Sequence, residues 1–224
     1  VMKSRVALSW SGGKDSCLAL YELLRDDRFS VERLICTVTE GYERVSMHGV
    51  RVELVEAQAA SLGIPLYRIY IPQNCSNQVY DERMRYALSE LMSLGINAVA
   101  FGDIFLEDIR TYRESRLSEV GVRALFPLWG RSSKDITLGL CESGFRSVVV
   151  CVDSTLLDPS FLGRDIDLRF LGSLPEGVDP AGENGEFHSF VYDGPIFSRS
   201  VPFKKGEVVV RDNRFYYCDL VPAG

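Results

Sequence analysis

Short apolar runs alternate along the first half of the chain with longer stretches of helical period. Val6, Ala7 and Leu8 form the first run and read as a buried strand. Cys17, Leu20, Tyr21 and Leu24 then recur at i, i+3, i+4 and i+7, one face of an amphipathic helix. Arg33 to Val38 predicts a second strand centred on Leu34, Ile35 and Val38. It is followed by a helix with Val52, Val55, Ala59 and Leu62 on one face and Gly63 as its stop. Leu66 to Ile71 reads as a third strand. A long helix from about Gln78 to Leu94 turns Tyr80, Met84, Ala87, Leu88 and Leu91 inward and closes at Gly95. Ala98 to Phe101 is the fourth strand, Glu107 to Val120 a charged helix, and Ala124 to Phe126 the fifth strand. Repeated strand–helix–strand units with right-handed crossovers predict an α/β fold. Its sheet is parallel, five-stranded and doubly wound, in the order 3-2-1-4-5.

Beyond Leu128-Trp129-Gly130 the pattern changes. Ser133 to Glu142 is a helix candidate stopped at Gly144, and Arg146 to Val152 is a strongly β-branched strand. Leu168 to Leu174 reads as a short helix introduced by Asp165. Val208 to Val210 and Phe215 to Tyr217, around Asp212-Asn213, read as a terminal hairpin. The expected division is a nucleotide-binding domain over residues 1–128 and a smaller substrate-binding α/β domain over 129–224.

The first strand runs into Ser11-Gly12-Gly13-Lys14-Asp15-Ser16, so two glycines fall at a strand-to-helix turn. Glycine lets backbone approach a ligand closely, and the first amides of a helix lack partners within it. Those amides and the helix dipole favour an anion, to which Lys14 adds a point charge and Ser11 and Ser16 hydroxyl donors. The spacing is neither that of a Walker A loop nor of a dinucleotide fingerprint. The string instead resembles the pyrophosphate loop of the N-type ATP pyrophosphatases, which implies ATP as cofactor.

In a doubly wound sheet of this order the ligand crevice lies between strands one and four. Gly102-Asp103 ends strand four there. Asp103 is either a ligand for Mg²⁺ or a ribose hydroxyl, or a turn or cap residue. Thr37 and Val38, ending strand two, border the adenine side. Met47-His48 lies where the chain returns toward a helix. His48 is either a loop histidine or a general acid/base or phosphate donor. In the mixed-charge run after Asp103, Glu107 and Arg110 stand nearest the loop and are the candidates for substrate contact. Glu183-Asn184-Gly185-Glu186-Phe187-His188-Ser189 forms a second chemical centre. Strand alternation there places Glu186 and His188 on one face, and Phe187 and Ser189 on the other.

Charge and composition narrow the classes. A formal net charge of −6 argues against nucleic acid as a partner. No apolar run approaches the roughly 20 residues that span a membrane. No signal pattern opens the chain, and the expected location is cytoplasmic. The six cysteines are scattered without a C-x-x-C pair and are expected to be reduced.

Five segments together resemble the diphthine–ammonia ligase family: SGGKDS at 11–16, MHG at 47–49, FGDIFLEDIRTYRE at 101–114, FPLW at 126–129 and GENGEFHSFVYDGPIF at 182–197. The resemblance implies that a carboxylate is adenylated by ATP, pyrophosphate leaves, and ammonia attacks the acyl-adenylate. It further implies that the loop holds the β and γ phosphates, and that Asp15 and Asp103 place Mg²⁺. Glu183, Asn184, Glu186 and His188 would close over the acceptor or handle ammonia. The acceptor implied is diphthine on elongation factor two. Family members tied to diphthamide usually carry an E-G-G-E-[FY]-E-[ST] string, whereas this chain has Asn184 and His188 at two of its positions and so resembles a sister branch. That departure leaves open another acceptor such as a corrinoid precursor. A non-catalytic adenine-nucleotide sensor is the alternative of a different class, and homo-oligomerisation is allowed for.

Overall fold

β1 (Ser4–Ser9) carries Val6, Ala7 and Leu8 with no exposed surface through the middle of a parallel sheet, in a computed structural model that describes residues 2–224. β2 (Phe29–Thr39) pairs with it on one side and β5 (Ala98–Ala100) on the other. β4 (Leu66–Ile71) pairs with β2, and β6 (Arg123–Leu125) with β5, all parallel. The order β4-β2-β1-β5-β6 is the one the sequence predicts. α1 (Lys14–Leu24) and α2 (Val52–Leu62) bury Leu18, Leu20, Leu54 and Val55 against one face. α3 (Asn77–Ser93) and α4 (Glu107–Ser118) bury Ala87, Leu88, Leu91 and Leu117 against the other.

A sixth strand was not foreseen. β3 (Arg44–Val45) runs antiparallel to β2 through Val38 and Thr39. Two residues are too few to show a period. Because β4 already occupies one edge of β2 over Leu34 to Thr39, β3 takes the other, just past the end of β1. It thereby sets the turn Ser46–Gly49 over the mouth of the sheet. Leu24, expected inward, is half exposed. Ser16, Cys17, Leu18, Ala19, Leu20 and Leu23 are buried instead, because α1 is covered on a second side.

The second cover is a four-stranded antiparallel sheet in the order β8-β7-β10-β9. Its strands are β7 (Arg146–Asp153), β8 (Phe187–Asp193), β9 (Phe203–Arg211) and β10 (Phe215–Pro222). In β7, Val148 and Val150 join the core of α1 and α2, whereas Val149 and Val152 pack with Phe161, Phe170 and Phe187. Burial on both faces explains the unbroken β-branched run. α5 (Ser133–Glu142) and α6 (Leu168–Ser173) complete this half. The residue that caps α6 is Asp167 and not Asp165: its side chain accepts from the Phe170 N–H at 2.8 Å. Asp212 and Asn213 have φ of 54° and 48°, as the hairpin turn requires. All six cysteines are free thiols, and no helix among the described residues is long and apolar enough to cross a membrane.

Candidate active site

α1 opens at Lys14 directly after Gly13, whose extended backbone carries no side-chain cap. Gly12 takes φ +83°, a conformation that side chains rarely adopt. Ser11 Oγ accepts from the Gly13 N–H at 3.3 Å and lies 3.3 Å from Ser16 Oγ. The loop is pinned from the second sheet: the Lys14 N–H donates to Ser189 Oγ at 3.0 Å and the Val191 N–H to the Gly12 carbonyl at 2.9 Å. The Lys14 side chain is buried. Its Nζ pairs with both Asp15 oxygens at 2.8 and 2.9 Å, donates to the Ala181 carbonyl, and lies 5.5 Å from the centre of the Phe187 ring.

A cleft of about 520 Å³ lies over this loop, within the range of small-ligand sites. Of the residues singled out from the sequence, it brings together Ser11, Gly13, Lys14, Asp15, Ser16, Met47, His48, Gly102, Asp103, Glu183, Asn184 and His188. Gly102 is there because nothing larger fits: a Cβ would sit 2.8 Å from the Asp15 backbone.

The chain has two histidines, and both are in this cleft with ring centres 4.4 Å apart. His188 arrives on β8. His48 arrives on the turn after β3, where Met47 is held at φ 67° and Gly49 at φ 75°. Tyr217 Oη donates to the Met47 carbonyl at 3.2 Å, and the Tyr217 ring lies so close to Gly49 that a Cβ would collide with it at 2.8 Å. Burial, then the neighbouring His188 and Lys14, lowers the His48 pKa to about 3. Burial and Lys14 lower that of His188 to about 4. Both imidazoles are neutral at pH 7.

The acids behave in the opposite sense. Glu183 Oε1 accepts from the Ile104 N–H at 3.0 Å. Burial, joined by the charges of Asp15 and Asp103, nevertheless raises its pKa to about 7. Asp15 is also raised, chiefly by burial and against the pull of Lys14, with Asp179 and Asp103 adding to the rise. Asp103 is gripped by Arg113, whose Nε lies 2.6 Å from Oδ2. The ionised form of Glu183 is therefore disfavoured in the fold, and stability is lost as pH rises from 4.5 through about 7. Glu183→Gln keeps the acceptor for Ile104 and removes that loss. Its melting temperature should exceed the parent's by a few degrees at pH 8 and match it at pH 4, read by calorimetric scans at the two pH values.

Other expected residues stand elsewhere. Glu186 is buried outside the cleft; its Oε2 accepts from the Asp179 N–H at 2.5 Å, and its Oε1 has no partner among the described residues. The strand alternation expected for 186–189 fails. The register between β7 and β8 shifts at Val149/Cys151, and Phe187, His188 and Ser189 all border the cleft. Glu107 and Arg110 do not line it. Arg110 pairs with Glu114 at 2.7 Å and stacks on Phe126 and Trp129. The cleft-facing residues of this segment are Leu106, Ile109 and Arg113, spaced i, i+3 and i+7. Thr37 and Val38 are used by β3: the Thr37 carbonyl accepts from Ser46 N–H at 3.0 Å, and Val38 is buried opposite Val45. Gly12 shapes the loop from behind. The residues the sequence reading missed are Ser189, Arg113 and Gln58, each visible only once distant segments are brought together.

Magnesium suits this donor set in a restricted way. Among the described residues no three acidic, histidine or cysteine side chains close on one point. Asp15, Asp103 and Glu183 nonetheless share one cleft, where the charge of Asp103 raises the pKa of the other two. Mg²⁺ commonly uses one or two carboxylates and takes its other ligands from substrate phosphates and water. Asp15 and Asp103 would hold it in that manner.

The family model described as the diphthamide synthase N-terminal domain matches residues 3–124, and the diphthamide synthase C-terminal domain model matches residues 132–219. The chain is 25% identical over 232 residues to the diphthine–ammonia ligase of Homo sapiens, covering 92% of this chain and 85% of that protein. The Bos taurus protein of the same name is also 25% identical, with the same coverage. The Saccharomyces cerevisiae protein of that name is 26% identical over 223 residues, 84% of this chain and 32% of its own length. With one model spanning its first half and the other most of its second, the chain belongs to the diphthamide synthase family.

Proposed function

We propose that this protein is an ATP-dependent ligase that adenylates a carboxylate, releases pyrophosphate and amidates the acyl-adenylate with ammonia. One observation carries the reading: the glycine loop, the Gly102-Asp103 corner and residues 182–185 and 187–189 meet in a single cleft around Lys14. Residues 1–128 would hold the nucleotide, and 129–224 would present the acceptor. The names of the curated relatives make diphthine the first acceptor to test, with a small-molecule carboxylate second.

The chain's own groups divide the work. The start of α1, with Ser11, Ser16 and Lys14, binds the β and γ phosphates and the departing pyrophosphate. Mg²⁺ would neutralise charge developing on that leaving group. Arg113 fixes Asp103, so the carboxylate at the end of β5 keeps one orientation. Leu106, Ile109 and Phe187 supply apolar wall that limits water at the acyl-adenylate. Glu183, with a pKa near 7, is placed to take a proton as ammonia is acylated. The neutral His48 and His188 add hydrogen-bonding edges without adding charge.

The test supplies Mg·ATP, ammonium chloride and elongation factor two bearing diphthine, with a panel of small carboxylates in parallel. AMP and pyrophosphate should form in step with the amide. ADP and phosphate as products would reject adenylation, and ATP binding with no turnover on any acceptor would reject ligation and favour a nucleotide sensor.

A further inference from the structure

Gln58 has no exposed surface, sits inside α2 and does not line the cleft, yet its amide is almost fully spent on the phosphate loop and the segments that flank it. Its Nε2 donates to the Gly12 carbonyl at 3.0 Å and to the Val191 carbonyl of β8 at 2.6 Å. Its Oε1 accepts from the Trp10 indole N–H at 2.9 Å. The Gly12 carbonyl is shared, since the Val191 N–H donates to it as well. The fit is tight: a Cβ on Gly12 would lie 2.9 Å from Gln58 Oε1. One side chain therefore ties together the residue before the loop, the loop's left-handed glycine and the strand that brings His188 and Ser189. The helix that carries it also begins just after the His48 turn.

We propose that Gln58 is the positioning residue of the phosphate loop. It draws the Gly12 carbonyl back toward β8, and so holds the loop and the first turn of α1 in place against the cleft. A buried amide in this place is expensive unless every partner is met. An apolar isostere would leave the Gly12 and Val191 carbonyls and the Trp10 N–H short of partners. The loop would then relax toward whatever restores them. The inference rests on the reading that the loop takes the terminal phosphates of ATP.

The test uses Gln58→Met, which conserves length and flexibility, in a Trp129→Phe background, leaving Trp10 as the single tryptophan. ATP and AMP affinities are measured by calorimetry and Trp10 emission is followed through both titrations. In the Gln58 protein, Mg·ATP should shift Trp10 emission and AMP should not. In Gln58→Met the ATP affinity should fall at least tenfold, the AMP affinity should change less than twofold, and the ATP-dependent emission change should vanish. A variant that melts lower but binds ATP with unchanged affinity and emission response would show a role in folding alone and overturn the proposal. Should Gln58→Met fail to fold, the Gln58 protein still decides: ATP binding by calorimetry with no response from Trp10 also overturns it. A protein that binds no ATP in either form would instead remove the ligase reading itself.

Discussion

Lys14→Ala should weaken Mg·ATP binding by about 10- to 100-fold and leave AMP binding within about twofold, read by titration calorimetry of both nucleotides. The magnitude follows from a hydrogen bond to a charged group, worth roughly 1.5–3 kcal/mol. The selectivity follows from place. Lys14 is the first residue of α1, and AMP lacks the phosphates that would lie against it. The ammonium is already engaged by Asp15 and by the Ala181 carbonyl, so it is stored in position and not drawn from solvent. Only part of its charge is free for a ligand. That is why the predicted loss stays below what a lone cation would give. Equal weakening of ATP and AMP would mean that Lys14 acts through the fold, and unchanged ATP binding would remove it from the phosphate site. Asp15 offers an internal control: without Lys14, its already raised pKa should rise further, since the lysine is the main influence holding it down.

Most of the first sheet was legible because its signals are local. Val6 to Leu8 is an unbroken apolar run, Leu66 to Ile71 is rich in β-forming residues, and Gly63 and Gly95 mark helix ends with φ of 71° and 82°. The βαβ handedness rule then left few orders to consider. Failures came where a neighbour far along the chain decides the outcome. β3 is two residues of pairing supplied by β2. Leu24 faces solvent because β8 covers the opposite side of α1. Glu186 looked like a cleft acid by alternation, but β8 begins only at Phe187, and Glu186 just before it is claimed by the Asp179 N–H. The site shows the same division. The glycine loop could be read from composition and spacing, whereas the His48–His188 contact joins residues 140 positions apart and has no signature in either segment. Arg110 and Arg113 are equally charged in sequence; only the phase of α4 sends Arg113 to Asp103 and Arg110 to Trp129.

That histidine contact sets the second large expectation. In the unfolded chain both imidazoles titrate near pH 6.5, whereas in the fold His48 stays neutral down to about 3 and His188 down to about 4. The folded state thus binds fewer protons than the unfolded one across this interval. The stability concerned is fully present above pH 6.5 and is lost as pH falls toward 4 and below. Each pH unit separating folded and unfolded titration is worth about 1.4 kcal/mol, so the two half-buried rings together are worth several. The groups facing them are Lys14, which opposes a proton on either ring, and the Ser46 backbone, which favours one on His48. Urea midpoints should therefore fall steeply between pH 6.5 and 4. The double variant His48→Gln/His188→Gln should be much flatter over that interval. The paired carboxylates of Asp153 and Asp26, both near pKa 2, lose their stabilisation at lower pH and do not blur the comparison. Glu183 acts with the opposite sign, losing stability as pH rises toward 7. Removing the histidines should therefore move the stability maximum to more acid pH. An unchanged acid limb in the double variant would mean that the rings are hydrated and titrate as they do in the unfolded chain, and the cleft would then carry positive charge on its histidines as the pH falls below 6.5.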